Sequence, residues 1–229
     1  MKLEKTTKRF KSETKRAYDD ACGTAHGLEL VGERWALLVL RELMLGPRRF
    51  SQLRADLPGI SANVLTQRLT ELEERGLVVK KRLPPPANVQ VYEATEWGLE
   101  AEPIVQSLGR WAARSPRHDP TLPISGVSIL LSMRTMIDRA KAADLDARIG
   151  FAFGDDRYSG HLHGGMIDIV RGGSGPYDLE ISADPPANLA AVLYGKAPYE
   201  LIQWSGDRSL LDRIVDLYHL PPKAPVPGH

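Results

Sequence analysis

The stretch SANVLTQRLTEL, residues 61–72, decides the fold of this chain. Its apolar residues Leu65, Leu69 and Leu72 recur at helical spacing, so they predict a helix with one stripe facing a core. The hydroxyl of Ser61 can accept a free backbone N–H of the first turn, which predicts where the helix begins. Gly76 is expected to end it, because glycine commonly stands just past a helix. A capped helix of this kind is narrow enough to enter the major groove of DNA.

The opposite face of this helix carries uncharged polar side chains. With the leucines inward, helix geometry turns Asn63, Gln67 and Thr70 outward, with Thr66 beside them. Amides and hydroxyls suit the edges of bases, and an Asn or Gln amide pairs with adenine through two hydrogen bonds. Arg68 lies on the flank, where a phosphate contact is expected rather than a base contact.

The neighbouring segments predict a winged helix-turn-helix around this helix. Residues 33–45 and 50–57 have helical periodicity, and a Pro-Gly pair ends the second of them. Two β-rich runs, residues 77–81 and 89–92, flank a proline turn and predict a hairpin. Thr95 can cap a last helix, on which Ile104, Leu108 and Trp111 form an apolar stripe.

Basic residues accompany these elements at the positions where a DNA backbone would pass. Arg48 and Arg49 precede the short helix, and Lys80, Lys81 and Arg82 flank the tip of the hairpin. The alternative is a small helical domain whose polar face is merely solvated; the basic hairpin argues against it. The candidate DNA-binding residues are Arg48, Arg49, Ser61, Asn63, Thr66, Gln67, Arg68, Thr70, Lys80, Lys81 and Arg82.

The charge of the chain is unevenly distributed although its formal net charge is only +1. The first half carries the excess of lysine and arginine, and the second half carries the excess of acidic residues. The beginning of the chain is a basic arm, which suits either a polyanion such as DNA or a solvated tail. This arm contains Lys2, Lys5, Lys8, Arg9, Lys11, Lys15 and Arg16.

The 229 residues are enough for two small domains. Three prolines in residues 115–123 deny regular hydrogen bonding and predict a linker. We therefore predict domains at residues 1–115 and 124–222, and expect a chain that ends at Ser115 still to bind DNA. The chain lacks both a long apolar run and a secretory signal, so we expect a cytoplasmic protein without a membrane partner.

The second half predicts an α+β layer structure: an antiparallel sheet with helices packed on it. Residues 127–143 have helical periodicity, as do 188–194 and 209–220. Between them, four segments alternate with the period of strands and are separated by turn-forming residues. These strand segments are residues 148–153, 158–163, 166–171 and 178–183.

The first half resembles the HxlR-type regulators over roughly residues 20–114. The resemblance begins in CGTAHGLELVGERW, residues 22–35, and continues in LGPRRFSQL, LTQRL and LEERGLV, which start at Leu45, Leu65 and Leu72. Gly23 stands where the family usually has proline, and Glu33 where it has glycine. The resemblance implies a homodimer built through the terminal helices, bound to a palindromic DNA operator, that represses or activates nearby genes.

Residues 125–222 resemble the sterol carrier protein type-2 fold. The strand-rich block 147–183, the segment 184–196 and the sequence WSGDRSLL from Trp204 carry the likeness. The resemblance implies an apolar cavity between sheet and helices that holds a hydrophobic small molecule; the alternative is a filled core. The candidate lining residues are Phe151, Phe153, Leu162, Ile167, Ile169, Leu193, Trp204 and Leu217.

The single cysteine excludes an internal disulfide and a cysteine-based zinc site. Cys22 matches the N-terminal cysteine of the HxlR-type regulators, which in some members senses oxidants or electrophiles; the alternative is a small buried apolar residue. His161 and His163 share one face of a strand, but a third ligand is missing, so we predict no metal and no other cofactor.

These patterns predict a homodimeric, ligand-responsive transcriptional regulator. The sequence has no Ser/His/Asp set, phosphate-binding loop or spaced metal motif, so no catalytic residue is predicted. The alternative is a carrier of a lipid or another hydrophobic ligand, with a non-regulatory N-terminal domain.

Overall fold

The computed structural model describes residues 18–225 and shows a mixed α+β fold. The N-terminal half has the predicted order of helix, short helix, turn, helix and hairpin. Its elements are α1 Gly23–Val31, α2 Ala36–Glu42, α3 Phe50–Asp56, α4 Ala62–Glu74, β1 Val78–Arg82, β2 Gln90–Ala94, α5 Glu96–Leu99 and α6 Glu102–Ala113. The basic arm predicted from residues 2–16 lies outside the described residues.

Helix α4 has the capping and packing that its sequence predicts. The Ser61 hydroxyl accepts the backbone N–H of Val64 at 3.3 Å, and Leu65, Leu69 and Leu72 are buried in the core. Gly76 has φ +75°, a left-handed conformation that costs glycine little and therefore suits a residue just past a helix. The side that α4 turns to solvent is thus determined by its leucine stripe.

Two helices of the first half are shorter than their sequence periodicity predicts. Helix α2 begins at Ala36 rather than at residue 33, because Trp35 has φ +78° and cannot belong to a right-handed helix. Thr95 caps α5 by accepting the N–H of Gly98 at 3.0 Å. The predicted helix is interrupted after Leu99, and a second helix, α6, begins at Glu102. Pro103 lies in the first turn of α6, where a missing N–H costs nothing.

The C-terminal half contains the predicted helices and strands and one further strand. Residues 115–123 between the two halves form no helix or strand. The elements that follow are α7 Gly126–Met136, β3 Ala147–Phe153, β4 Asp156–His163, β5 Met166–Arg171, β6 Leu179–Ser182, α8 Ala187–Gly195, a short 3₁₀ helix Tyr199–Leu201, β7 Gln203–Gly206 and α9 Arg208–Asp216.

Helix α7 ends seven residues before the predicted end at residue 143. Ile137 is extended and pairs with Tyr218 as an isolated β-bridge. Asp138 donates its backbone N–H to the carbonyl of Leu217 at 2.9 Å. Pairing with a distant segment thus replaces the helical hydrogen bonds that local periodicity favours.

The sheet is mixed, and the prediction of an antiparallel sheet is therefore wrong for one pair of strands. The strand order is β5-β4-β3-β6-β7, and β3 pairs with β6 in parallel. The cause is the connection between β5 and β6, which returns across the sheet and brings the chain back to the end where β5 began. A connection of that kind makes the next strand parallel to β5 and so to β3.

The inner face of the sheet forms part of the apolar core of the protein. Ile149, Phe151 and Phe153 of β3 are buried on the inner face, in the same core as residues of α7, α8 and α9. This buried apolar cluster continues without interruption into α2 and α4 of the first half. Helix α7 contacts both α2 and α6. The two halves therefore share one apolar core, while the division into two domains stays a prediction.

Candidate nucleic-acid interface

The polar face of α4 is exposed, as its sequence predicts. Asn63, Thr66, Gln67 and Thr70 are all accessible to solvent. The Thr66 hydroxyl donates to the Ala62 carbonyl at 2.9 Å and keeps its lone pairs for a further partner. The arrangement offers donors and acceptors that can meet base edges; that they do so stays a prediction.

Glu71 is a residue of this face that sequence reasoning missed. Its carboxylate accepts the amide N–H of Gln67 at 3.0 Å and also pairs with Arg68. The signal was present in the sequence, since residues three and four positions apart are neighbours on a helix. The bond orients the Gln67 amide and uses one of its two N–H donors, which leaves the second N–H and the carbonyl oxygen for another partner.

The structure corrects the phosphate contact predicted for Arg68. Arg68 is buried, and its guanidinium pairs with Glu71 and, at 3.6 Å, with Glu33. Long side chains on the flank of a helix can fold back onto the protein, and this one does so because two carboxylates lie within its reach.

The structure also corrects the prediction for Arg48. This side chain is only 2% exposed, and its guanidinium pairs with Asp56 of α3 and with Asp156 of β4. A buried, doubly paired arginine cannot reach a phosphate. Arg49, the next residue, is exposed at the start of α3 and remains a candidate.

The three basic residues of the hairpin all lie on its exposed outer part. Lys81 pairs across the strands with Glu93 at 2.6 Å, and Arg82 donates to the side-chain oxygen of Asn88 at 2.8 Å. Lys80 is exposed as well. The charged groups of all three side chains are accessible to solvent, so exchanging their present partners for DNA phosphates would cost little free energy.

Helix α6 exposes the apolar stripe predicted for it. Ile104, Leu108 and Trp111 are 57%, 46% and 72% exposed in the single chain. Their spacing of four and three residues places them on one side of the helix. Large apolar residues grouped in this way mark a surface that another molecule covers.

The apolar cavity predicted between sheet and helices is wrong for its candidate lining residues. A cavity wide enough for water leaves accessible surface on its walls, yet seven of the eight residues are between 0% and 7% exposed. Only Trp204 is partly exposed. Phe151, Phe153, Leu162, Ile167, Ile169, Leu193 and Leu217 are therefore packed core.

A surface hollow of about 400 Å³ lies instead across the outer face of the sheet. The segment after β5 folds over this face, so that the Tyr177 ring lies against Gly150 and its hydroxyl is 2.6 Å from the Ser159 hydroxyl. Small residues form the floor, and Arg157 and Glu180 are charged residues of the rim. Tyr177, Ile181 and Trp204 also line the hollow, so it offers polar and apolar contacts alike.

Cys22 is exposed, so the alternative of a buried apolar residue is wrong. It is the N-terminal capping residue of α1. The pKa of the Cys22 thiol is held below its ordinary value, because the backbone N–H groups of Ala25 and then Thr24, followed by the Thr24 hydroxyl, favour the thiolate. An exposed thiol with a lowered pKa has the surroundings of a reactive cysteine.

The two histidines share the outer face of the sheet, and each is hydrogen-bonded to a carboxylate. His161 Nε2 lies 2.9 Å from Asp146 and His163 Nε2 lies 2.9 Å from Asp168. Their rings are stacked with centroids 4.5 Å apart. Among residues 18–225, no group of three or more metal-ligating side chains is present, and no helix is both long and apolar enough to cross a membrane.

Comparison with known proteins bears on the first half. The family described as HxlR-like helix-turn-helix matches residues 30–119. The HTH-type transcriptional regulator YkvN of Bacillus subtilis is 40% identical over 94 residues, which are 40% of this chain and 77% of that protein. YodB of the same species is 36% identical over 83 residues, 36% of this chain and 74% of the relative. The structure of reduced YodB aligns with 44% of this chain and with the whole of the YodB chain, at 31% sequence identity and a TM-score of 0.39.

Proposed function

Because this chain belongs to the HxlR-like helix-turn-helix family of transcriptional regulators, we propose that it reads a palindromic DNA operator as a two-fold homodimer. Helix α4 enters the major groove of each half-site, and the hairpin of β1 and β2 lies along the neighbouring backbone. The relatives are named as regulators and no enzyme family is indicated.

The observation that carries this proposal is the exposed polar face of α4, bordered by exposed cations. Asn63, Gln67 and Thr70 supply base-reading groups, while Arg49 and Lys80 are placed before and after the helix in the chain with their side chains in solvent. Base contacts specify a sequence and phosphate contacts hold the protein in register. The two kinds of residue therefore predict two different mutant behaviours.

Gln67→Ala and Arg49→Ala are expected to weaken DNA binding in distinguishable ways. A specific site would first be isolated by selection from random duplexes, and affinity would then be titrated at several salt concentrations. Losing a base contact should cost about 1–3 kcal/mol on the selected site and little on unrelated DNA. Losing a phosphate contact should weaken both and reduce the salt slope by about one.

Wild-type protein provides the reference for this experiment. Its affinity should fall steeply with salt, because bound phosphates release counterions. An affinity that does not change with salt would contradict DNA binding altogether. Equal losses on all duplexes for Gln67→Ala would show instead that a different face of α4 reads the bases.

The dimer is proposed from the apolar stripe of α6. Ile104, Leu108 and Trp111 are exposed in a single chain, and a second copy is the partner that a two-fold operator requires. Aromatic residues dominate the free energy of many interfaces, which makes Trp111 the expected centre of the contact.

The structure restricts where the C-terminal half could bind a regulatory ligand. A hydrophobic ligand, and the alternative function as a lipid carrier, both need internal space that the packed inner face does not offer. If the C-terminal half senses a small molecule, the outer hollow beside Tyr177 is the place we propose, and its mixed lining favours a ligand with both polar and apolar groups. Density for such a molecule in a crystal of ligand-treated protein is the deciding measurement.

Oxidation at Cys22 is a second candidate input, favoured by the exposure of its thiol. Two-electron oxidation of one thiol from each of two subunits would form a disulfide. The added oxidant, diamide, takes up the two electrons and two protons and becomes the corresponding hydrazine. We expect a covalent dimer on non-reducing gels and changed DNA affinity, both absent in Cys22→Ser.

The pH dependence of alkylation offers an independent check on Cys22. A lowered pKa keeps the thiolate populated at lower pH, so iodoacetamide should react faster than with an ordinary thiol near neutrality and slow only as pH falls through the lowered value. Reaction no faster than glutathione at neutral pH would remove the sensing role.

A further inference from the structure

Arg48 occupies the junction of three parts of the molecule. It follows the turn after α2 and immediately precedes Arg49, the capping residue of α3. Its backbone N–H donates to the Tyr92 carbonyl at 2.9 Å, and the Tyr92 N–H returns a bond to the Arg48 carbonyl at 2.8 Å. The backbone of Arg48 therefore forms a one-residue bridge with β2, at the edge of that strand opposite β1.

The Arg48 side chain links the DNA-binding half to the C-terminal half. Its guanidinium contacts Asp56, the last residue of α3, and its Nη1 lies 2.5 Å from Oδ2 of Asp156. The other Asp156 oxygen accepts Nη1 of Arg171 at 2.7 Å. The Arg171 guanidinium in turn lies over the Tyr158 ring, 4.7 Å from its centroid.

This arrangement makes Asp156 the only C-terminal partner that Arg48 has among the described ion pairs. The Arg48 side chain is nearly fully buried, and those of Asp56 and Asp156 are about three-quarters buried. Removing one member of a buried pair leaves an uncompensated charge away from water, which is strongly unfavourable. The end of α3 and strand β2 of the hairpin are thus held in a position that depends on a residue of the sheet.

We propose that Asp156 positions α3 and the hairpin for DNA through Arg48, which makes the C-terminal half a part of the DNA-binding unit. This inference rests on the proposed function for its consequence at DNA, but the mechanical coupling can be measured without DNA. Asp156 touches no nucleic acid in this scheme and is a positioning residue.

The chain offers matched controls for both sides of this contact. Asp155 is the exposed neighbour of Asp156 in the same turn, so Asp155→Asn removes the same charge without the contact. Arg49 is the exposed neighbour of Arg48, and Arg49→Ala removes a cation that faces solvent. Neither control residue takes part in the buried ion pairs at Arg48.

Amide hydrogen exchange of Asp156→Asn in the full chain tests the coupling. Protection of α3 amides, far from the substitution in sequence, is expected to fall by about tenfold, which lies within the range for couplings between sites. Protection of α9 amides should stay unchanged, since a general loss of stability would affect both helices. Asp155→Asn is expected to match wild type in both.

DNA titration of the same variants then tests the consequence. Asp156→Asn should bind the selected duplex about tenfold more weakly with an unchanged salt slope, because no phosphate contact is lost. Arg49→Ala should instead reduce the slope. If wild type does not bind DNA, the proposed function fails while the exchange result still tests the coupling.

Arg48→Lys is the second variant, for the case that Asp156→Asn does not fold. An ammonium keeps the charge but lacks the planar fork that lets a guanidinium bridge two carboxylates, so α3 should again lose protection. Wild-type exchange in α3 of either folded variant would overturn the proposal. Faster exchange spread equally over α3 and α9 would overturn it as well.

Discussion

Replacing both Leu108 and Trp111 by glutamate is expected to separate the proposed homodimer into monomers. The two side chains are 46% and 72% exposed in the single chain, and a two-fold contact through α6 would bury them against their copies. Four carboxylates in one small apolar contact would then have to lose water without a cationic partner, which costs several kcal/mol. Sedimentation velocity at micromolar concentration measures the change directly.

The same double variant is expected to lose affinity for the operator by a factor on the order of 100 or more. A linked pair of reading helices gains that much from binding two half-sites at once, and a monomer forfeits it. Affinity for a single half-site should be retained, because α4 is untouched. Binding to the full site and the half-site would be compared in one titration.

Trp97→Glu provides the control for this experiment. Trp97 is a comparably large exposed residue, 47% accessible, but it lies on α5 outside the stripe. Its variant should remain a dimer with wild-type affinity. A dimeric Leu108→Glu, Trp111→Glu protein would show that a different surface joins the two copies.

Ending the chain at Ser115 is expected to cost most of the stability of the N-terminal half. Apolar residues of α2 and α6 that pack against α7 would be exposed to water, at about 1.5–3 kcal/mol for each large apolar side chain uncovered. Glu42, which is fully buried and accepts the Ser125 hydroxyl at 2.8 Å, would lose that partner. The sum is comparable to the whole stability of a small domain.

Urea denaturation followed by circular dichroism measures this loss. We expect the shortened chain to show a much lower midpoint, or no cooperative transition, and weak DNA binding. A chain ending at Pro225, which keeps every described residue, should behave as the full protein does. Full stability and full affinity in the chain ending at Ser115 would identify the N-terminal half as an independent module, as its sequence alone predicts.

Helix α4 was predictable because its signals are local. Ser61, the leucine stripe and Gly76 lie within sixteen residues of one another in sequence, and each acts through hydrogen bonds or contacts inside one helix or at its ends. Once the stripe is inward, helix geometry alone turns Asn63, Gln67 and Thr70 to solvent. The exposure of the α6 stripe and the strands of the second half follow from periodicity in the same way.

The errors concern residues whose role depends on distant partners. Arg48 and Arg49 are adjacent and chemically identical in sequence, yet only Arg48 is buried, because Asp156 lies beside it in space. The parallel pairing of β3 with β6 and the early end of α7 arise from the path of the connecting segments. Apolar residues of the inner face have the same pattern whether they surround a cavity or fill one, and only their packing distinguishes the two.

Sequence by itself determined the winged helix-turn-helix, the exposed polar face of α4 and the membership of a regulator family, since these depend on periodicity, capping and local motifs. Tertiary structure alone decided which cations face solvent, whether the second half has room for a ligand, and how the two halves meet. The physical reason is the distance along the chain over which each kind of interaction acts. Helix capping and amphipathic spacing act over a few residues, whereas the free energy of a buried charge or a packed side chain depends on whatever the fold brings within a few ångströms.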